Sequence, residues 1–396
     1  MQRTHSIVET LITYTAIIVL ALGAATACST DVRLGGRDST EPSGDAGPAS
    51  DSTASADSTT QPDALPSADS TPADDAAATS PSWRKLTAPT SETLTAVWGS
   101  GPNDVYVVGR RKTILRYDGK TWSPQPWVAP TAADALAVWG SGPSDVYVVG
   151  TWGTLLHFDG TSWTHIDPGL TVLPDVVRFE SVWGTGPNDV YVAGYWSGFQ
   201  GGTPLFIAIA YHFDGTSWSE YKLQTATVHP MFHGIAGASS KDMVIVGNPR
   251  IVSGGPLSFV SLIIENDGNA WSMSEPKDFE VRHGLNAVHV GQQRAFVAGD
   301  QGLVATRAGG PGNPWTHEPT PVTITMFGIW ASADGSAAYA VGQSGTLLER
   351  DSTNGSWSNR GALGSSEDLW GVWGSASDDV YAVGGNGLVL HFGRAP

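Results

Sequence analysis

The chain has 396 residues, a net charge of −17 at pH 7, 16 tryptophans and a single cysteine. One cysteine excludes internal disulfides and cysteine-based structural zinc sites. The acidic balance argues against nucleic-acid binding through phosphates.

Residues 1–28 have the layout of an export signal. Arg3 supplies a positive start, an apolar run extends from Leu11 to Ala27, and the small residues Ala25, Thr26 and Ala27 precede Cys28. A lone cysteine directly after such a segment resembles the lipobox of bacterial lipoproteins, with Ala25 standing where leucine is usual. The resemblance implies that Cys28 is lipidated and becomes the mature N-terminus. It also implies a chain anchored to a membrane of the cell envelope, at the outer membrane or cell surface. Plain secretion is the alternative.

Residues 29–81 contain no aromatic residue and are mostly Ser, Thr, Ala, Asp, Pro and Gly. Ten acids stand against Arg33 and Arg37, so the segment carries −8. This composition buries too little apolar surface to fold, so a disordered linker is expected, extended by its charge and its prolines.

From residue 82 onward one pattern dominates. The block Leu94-Thr-Ala-Val-Trp98-Gly99-Ser-Gly-Pro-Asn-Asp104-Val-Tyr-Val-Val-Gly109 recurs seven times. Its central position is Trp98, Trp139, Trp183, Ala236, His289, Trp330 and Trp373, in steps of 41, 44, 53, 53, 41 and 43 residues. Each unit carries four strand signals. In the second they are Leu136-Ala-Val-Trp139, Val146-Tyr-Val-Val149, Thr154-Leu-Leu-His-Phe158 and Thr161-Ser-Trp163-Thr-His-Ile166. Gly/Pro turns and an Asp159-Gly160 hairpin separate them. A period in the low forties with four short antiparallel strands predicts a β-propeller blade. The strands are apolar at consecutive positions, so both faces of each sheet must be covered by neighbours. The fold class expected is all-β, a seven-bladed β-propeller over 82–396.

The last unit stops after its third strand, Leu388-Val-Leu-His-Phe392. The missing piece stands at the front, as Ser82-Trp83-Arg-Lys-Leu86. An N-terminal strand completing the last blade would lock the ring and remove an open edge. The fourth and fifth units are the weakest copies, with Ala236 and His289 in place of tryptophan, but both retain a second-strand signal.

The third hairpins read Asp118-Gly-Lys-Thr-Trp122, Asp159-Gly-Thr-Ser-Trp163, Asp214-Gly-Thr-Ser-Trp218 and Asp267-Gly-Asn-Ala-Trp271. They resemble the Asp-box, or BNR, hairpins of sialidase-like propellers. Gly153-Thr-Leu-Leu and Gly345-Thr-Leu-Leu resemble the repeats of photosystem II assembly-factor propellers. The Trp-Gly-Ser-Gly-Pro-Asn-Asp-Val-Tyr unit itself is similar to repeat lipoproteins of large-genome soil and marine bacteria. In such propellers the Asp-box is a folding device. Asp104, Asp145, Asp189, Asp242 and Asp379, ahead of the second strands, are likewise expected to lock turns.

No nucleophile elbow, phosphate-binding loop or zinc-protease segment occurs, and no arginine cluster accompanies a non-repeat Tyr–Glu pair. His229 and His233 are four apart, with Pro230 between and no third ligand. We therefore expect no enzyme, no cofactor and no metal. A glycan-cleaving propeller is the alternative, because two carboxylates can come from distant blades.

Alternate loops of a blade emerge on opposite faces. One face carries the monotonous Gly-Ser-Gly-Pro-Asn and Asp-Gly turns. The other carries the second-to-third-strand loops, which vary: Arg110-Arg111-Lys112, Thr151-Trp152, 195–204, 248–256, Asp300-Gln301, Gln343-Ser344 and Asn386. Repeats hold constant what folding needs and vary where function differs. The candidate ligand-binding residues are Arg110, Arg111, Lys112, Trp152, Tyr195, Trp196 and Phe199. Aromatic side chains among glycines suit sugar rings or a peptide. The expected protein is a monomeric, lipid-anchored binding or scaffold module for an envelope or extracellular protein or glycan.

Overall fold

Each repeat unit folds as a four-stranded antiparallel sheet, and there are seven. The structure is a computed structural model, and it describes residues 80–128, 133–171, 176–200, 203–221, 229–250, 261–274 and 284–394. The expected signal segment, Cys28 and nearly all of the acidic linker lie outside the described residues.

Blade one consists of Leu94–Gly101, Asp104–Gly109, Thr113–Tyr117 and Trp122–Pro124. The first strands of the other blades are Ala135–Gly142, Val177–Gly186, His229–Ser239, Leu285–Val290, Met326–Ala331 and Leu369–Ala376. Every first strand packs against the first strands of both neighbouring blades, and the series closes from blade seven to blade one. The seven first strands are therefore the innermost ring, around the axis of the propeller.

Consecutive apolar residues in the second strands divide between two interfaces. Tyr106 and Val108 pack with Val138, Val146 and Phe158 of blade two. Val105 and Val107 pack with Tyr381, Val383 and Val389 of blade seven. A buried side chain of this size stabilises by roughly 1.5–3 kcal/mol relative to exposure, which explains why an isolated blade would not suffice.

The ring closes as the pattern predicts. Ser82–Thr87 pairs antiparallel with Leu388–Gly393, with Trp83 opposite Phe392. The Trp83 ring meets Tyr339 of blade six edge-on at 5.6 Å and Phe392 at 5.5 Å. Trp163 makes the same pair of contacts with Tyr106 and Phe158. Trp83 thus occupies the fourth-strand tryptophan position of the last blade.

Blades four and five are complete sheets despite their divergent sequences. Two expected loops are corrected. In blade three the second and third strands run as Asp189–Gln200 and Thr203–Phe213, paired through Gln200 and Thr203. Residues 195–200 and 203–204 are thus a hairpin extension rather than a loop. Cross-strand pairing overrides the glycines there. In blade four the second strand continues to Arg250, so 248–250 are strand as well.

Candidate ligand-binding face

The face carrying the first-to-second and third-to-fourth-strand turns is used for folding. Asp104, Asp145, Asp189 and Asp379 accept a hydroxyl hydrogen bond from Ser100, Ser141, Thr185 and Ser375, four residues earlier. The other carboxylate oxygen meets a third-strand base: Arg116 at 2.6 Å, His157 and His212 at 2.7 Å, and His391 at 2.6 Å. Those histidines stack on Tyr147, Tyr191 and Tyr381 at 4.2–4.5 Å, and the Arg116 guanidinium lies over Tyr106. Burial resists ionisation of Asp189 and Asp379, yet these hydrogen bonds hold both carboxyls below the usual range. Burial also pushes Tyr106 and Tyr147 up to about 12. Asp242 departs from the pattern and pairs with Arg307 of the next blade. In the Asp-box hairpins, Asp118, Asp159, Asp214 and Asp267 each accept two backbone amides two and three residues on. All of these aspartates are engaged within the scaffold.

The opposite face, where second strands turn into third strands, places the sequence candidates as follows. Arg110, Arg111 and Lys112 share one tight turn in blade one. Arg111 and Lys112 have φ of 51° and 62°. Lys112 stands where other blades have glycine (Gly153, Gly302, Gly345, Gly387), a position that favours glycine because φ is positive. The turn is less positive than its composition implies. Arg111 pairs with Glu92 at 3.3 Å, and the Lys112 ammonium lies over the Trp127 ring at 5.7 Å.

Trp152 is 46% exposed and has φ of 64°. Gln301, Ser344 and Asn386 occupy the equivalent left-handed position in blades five to seven. A bulky side chain there costs of order 1–3 kcal/mol of backbone strain. Trp152 gains no described core contact in return. Its neighbour Thr151 bridges to Arg178 at the start of blade three, and Arg178 lies opposite Tyr195. Phe199, near the tip of the blade-three hairpin, is 78% exposed. Trp196 and Tyr195 differ from expectation. Trp196 packs against the core between blades two and three and covers Gly198. Tyr195 packs edge-on against Phe206 and His233. Both are half-buried, so packing accounts for much of Trp196. No hydrogen bond or ring contact joins Trp152 to Phe199 or to the blade-one turn among the described residues.

A ring of seven further residues emerges only from the register. Every first strand bulges at the same aligned position, three residues before Trp98 or its equivalent, so that Thr95, Leu136, Glu180, His233, Asn286, Phe327 and Trp370 drop out of the ladder. Each bulge lies beside Gly109 or its equivalent, the glycine that ends the second strand in blades one, two, five, six and seven, hence at the variable end of the channel. Gly109 and its six equivalents are glycine because a Cβ would collide with the carbonyl of the bulging strand. Bulges re-aim side chains, and they recur beside functional sites. All seven residues are half-buried, and none belongs to the hydrophobic clusters between blades.

The ring has two arcs. Around blades three to five it is polar. Arg178 donates to Glu180 at 2.7 Å, and Asn248 lies 3.4 Å from His233. Asn286 and Thr325 donate to one oxygen of Asp300, and the Gly284 amide to the other. Burial pushes the Tyr195 phenol up, with the Glu180 charge adding to it, and burial pushes His233 down. At blades six and seven the ring is aromatic: Phe327 and Trp370 stack at 4.2 Å with an interplanar angle of 11°. Sequence inspection missed this ring. Its signal was present, as the one column of the aligned first strands in which no residue type repeats.

Among the described residues, no group of three or more His, Cys, Asp or Glu side chains is placed to hold a metal ion. The His229 side chain lies outside the described set. None of the helices described is long and apolar enough to cross a membrane.

The chain matches no protein-family model and no curated protein sequence. Its fold is nevertheless widely shared. It is similar to YCF48 bound to D1 peptide, with TM-score 0.58 and 16% identity over 79% of this chain and 97% of that one. YCF48 from Cyanidioschyzon merolae gives 0.57 and 14%, over 78% and 98%. The WD40 propeller domain of Doa1 gives 0.56 and 12%, over 79% and 96%. At these identities the likeness establishes the architecture alone: the chain is a seven-bladed β-propeller, a fold it shares with YCF48 and with the WD40 propeller domain of Doa1.

Proposed function

We propose that this chain is a non-catalytic binding module that engages a protein ligand on its variable face. In this proposal a lipid on Cys28 holds the propeller at a bacterial cell envelope, and residues 29–81 are its tether. The observation that carries the binding reading is the division of labour between the two faces. On one face the repeated Asp, Ser, His and Tyr side chains are engaged with each other. On the other, equivalent positions carry different side chains, including a strained and exposed Trp152 and an exposed Phe199. Strain tolerated without a packing return is a mark of a functional position. The D1 peptide in the YCF48 structure shows that a propeller of this architecture can hold a peptide. An exposed aromatic also suits a sugar ring, so a glycan ligand is the second candidate. Against a sugar-cleaving enzyme stands Glu180, the one carboxylate of the bulge ring, which is held by Arg178.

The test is a binding screen of envelope proteins and glycans against wild type and a Trp152→Ala/Phe199→Ala double variant. Trp196 is left unchanged because it packs in the core. A ligand held by wild type and lost by a variant with an unchanged melting midpoint supports the reading. Full retention of binding by the variant rejects these two residues as contacts. In the same cells, Cys28→Ser should move the protein from the membrane to the soluble fraction. Unchanged fractionation rules out the lipid anchor.

A further inference from the structure

We propose that the mouth of the central channel is a binding pocket for a lysine or arginine side chain of the peptide ligand, with the Phe327–Trp370 stack as its floor and Asp300 and Asp368 as its charged rim. The inference rests on the protein-binding reading above and adds the place and the chemistry.

The aromatic pair is the first observation. Phe327 and Trp370 are bulge residues of adjacent innermost strands, stacked nearly parallel at 4.2 Å. Large apolar side chains elsewhere in these strands, such as Leu94, Phe179 and Ile329, lie in the clusters between blades. These two do not, and they remain half-buried. The Trp370 indole N–H makes no hydrogen bond to a described residue. A stacked pair left out of the core, at the edge of a channel, presents a π-surface to whatever enters.

Charge is the second observation. Asp300 accepts from Thr325, two residues before Phe327, and Asp368, two residues before Trp370, accepts the Ser344 amide at 2.9 Å. The Glu367 carboxylate lies against Gly385 in the adjoining turn. Among the described residues none of these three carboxylates pairs with a base. The described bases of this face lie in other blades: Arg178 is tied to Glu180 in blade three, and Arg110, Arg111 and Lys112 share the blade-one turn, where Arg111 pairs with Glu92 and Lys112 lies over Trp127. Among the described residues, the aromatic arc is thus flanked by negative charge that no ion pair compensates. A cation over an aromatic face is worth about 0.5–2 kcal/mol, more as water is excluded, and a facing carboxylate adds to it. The propeller's overall negative charge would draw such a segment in. An acidic or purely apolar segment gains nothing from this arrangement.

The test is selection from a phage-displayed random heptapeptide library on the immobilised full-length protein. Wild type should enrich peptides containing Lys or Arg. A Phe327→Leu/Trp370→Leu variant, which keeps apolar volume, should bind the selected peptides about tenfold more weakly, in line with loss of a cation–π contact. Asp300→Asn/Asp368→Asn should weaken them as well and flatten the salt dependence, and this pair serves as the readout if the leucine variant misfolds. Enriched peptides without Lys or Arg, or undiminished binding by both variants, overturns the pocket while leaving the binding reading in place. Enrichment of no peptide by wild type removes both.

Discussion

A Cβ at Gly140 would lie 2.6 Å from Cη2 of Trp98, the tryptophan of the preceding blade. The same relation holds between Trp373 and Gly99, Trp139 and Gly184, Trp183 and Gly237, and Trp330 and Gly374. The Trp-Gly step is therefore two halves of adjacent contacts. Each tryptophan reaches the glycine of the next blade. The exceptions obey the same rule. Where blade four has Ala236 in place of Trp, blade five has Val290 in place of Gly, and Ala236 packs against the cluster that holds Val290. Where blade five has His289, blade six has Ala331. Seven of seven interfaces match a large residue with a small one, or a small one with a larger one.

This complementarity predicts a coupled pair. Ala236→Trp alone should overpack against Val290 and cost about 1–3 kcal/mol. With Val290→Gly added, the cost should shrink, because the interface between blades four and five then copies the Trp–Gly ones. A double-mutant cycle in urea measures the coupling. Additive losses would falsify the Trp-on-Gly account.

The closing strand makes a second prediction. Trp83 is the hinge pin of the last blade, held against Tyr339 and Phe392, so Trp83→Ala should destabilise the whole propeller by about 3–5 kcal/mol. The unfolding midpoint reports it. A loss under 1 kcal/mol would mean that the ring stays shut without this strand.

Blades four and five hold together by charge as well as by apolar packing. Arg307 is 0% exposed and reaches from blade five to Asp242 and Glu265 of blade four, while the Trp315 indole donates to Glu265. At the same strand position Phe158 and Phe392 serve blades two and seven. Arg307→Met should cost about 3–5 kcal/mol because it strands two carboxylates. Converting Asp242 and Glu265 to Asn and Gln in the same background should recover most of that loss. If it recovers none, the arginine acts by volume alone.

These contacts mark what was legible in the sequence. Blade number, ring closure and turn locks follow from short-range pattern, and Trp83, Asp104 and Asp159 stand where the pattern puts them. The His157–Asp145 and Arg307–Glu265 pairs join residues 12 and 42 apart, and no local period encodes them. Trp196 looked like a loop aromatic because Gly198 follows it, but that glycine is what lets the indole fold down. The bulge ring was hidden for a geometric reason. A bulge shifts register by one residue, and only the paired strand reveals the shift.

The last prediction concerns pH. His289 fills the tryptophan position of blade five, opposite Phe296 and edge-on to Trp330. Burial lowers its pKa to about 4, against a partly compensating hydrogen bond to the Ala331 backbone. The unfolded chain takes up this proton near pH 6.5, and the folded chain does so only near pH 4. Stability should therefore be complete above about pH 6.5 and decline as the pH falls from there to about 4, by about 2 kcal/mol after allowance for solvent screening. The hairpin aspartates act in a different window. Asp118, Asp159, Asp214 and Asp267 are held low by backbone amides, so their contribution is lost only below about pH 4. His289→Gln should flatten the upper window and leave the lower one intact, as read by urea unfolding between pH 3 and 8. An unchanged decline below pH 6.5 would point to His233 instead, whose pKa burial also lowers.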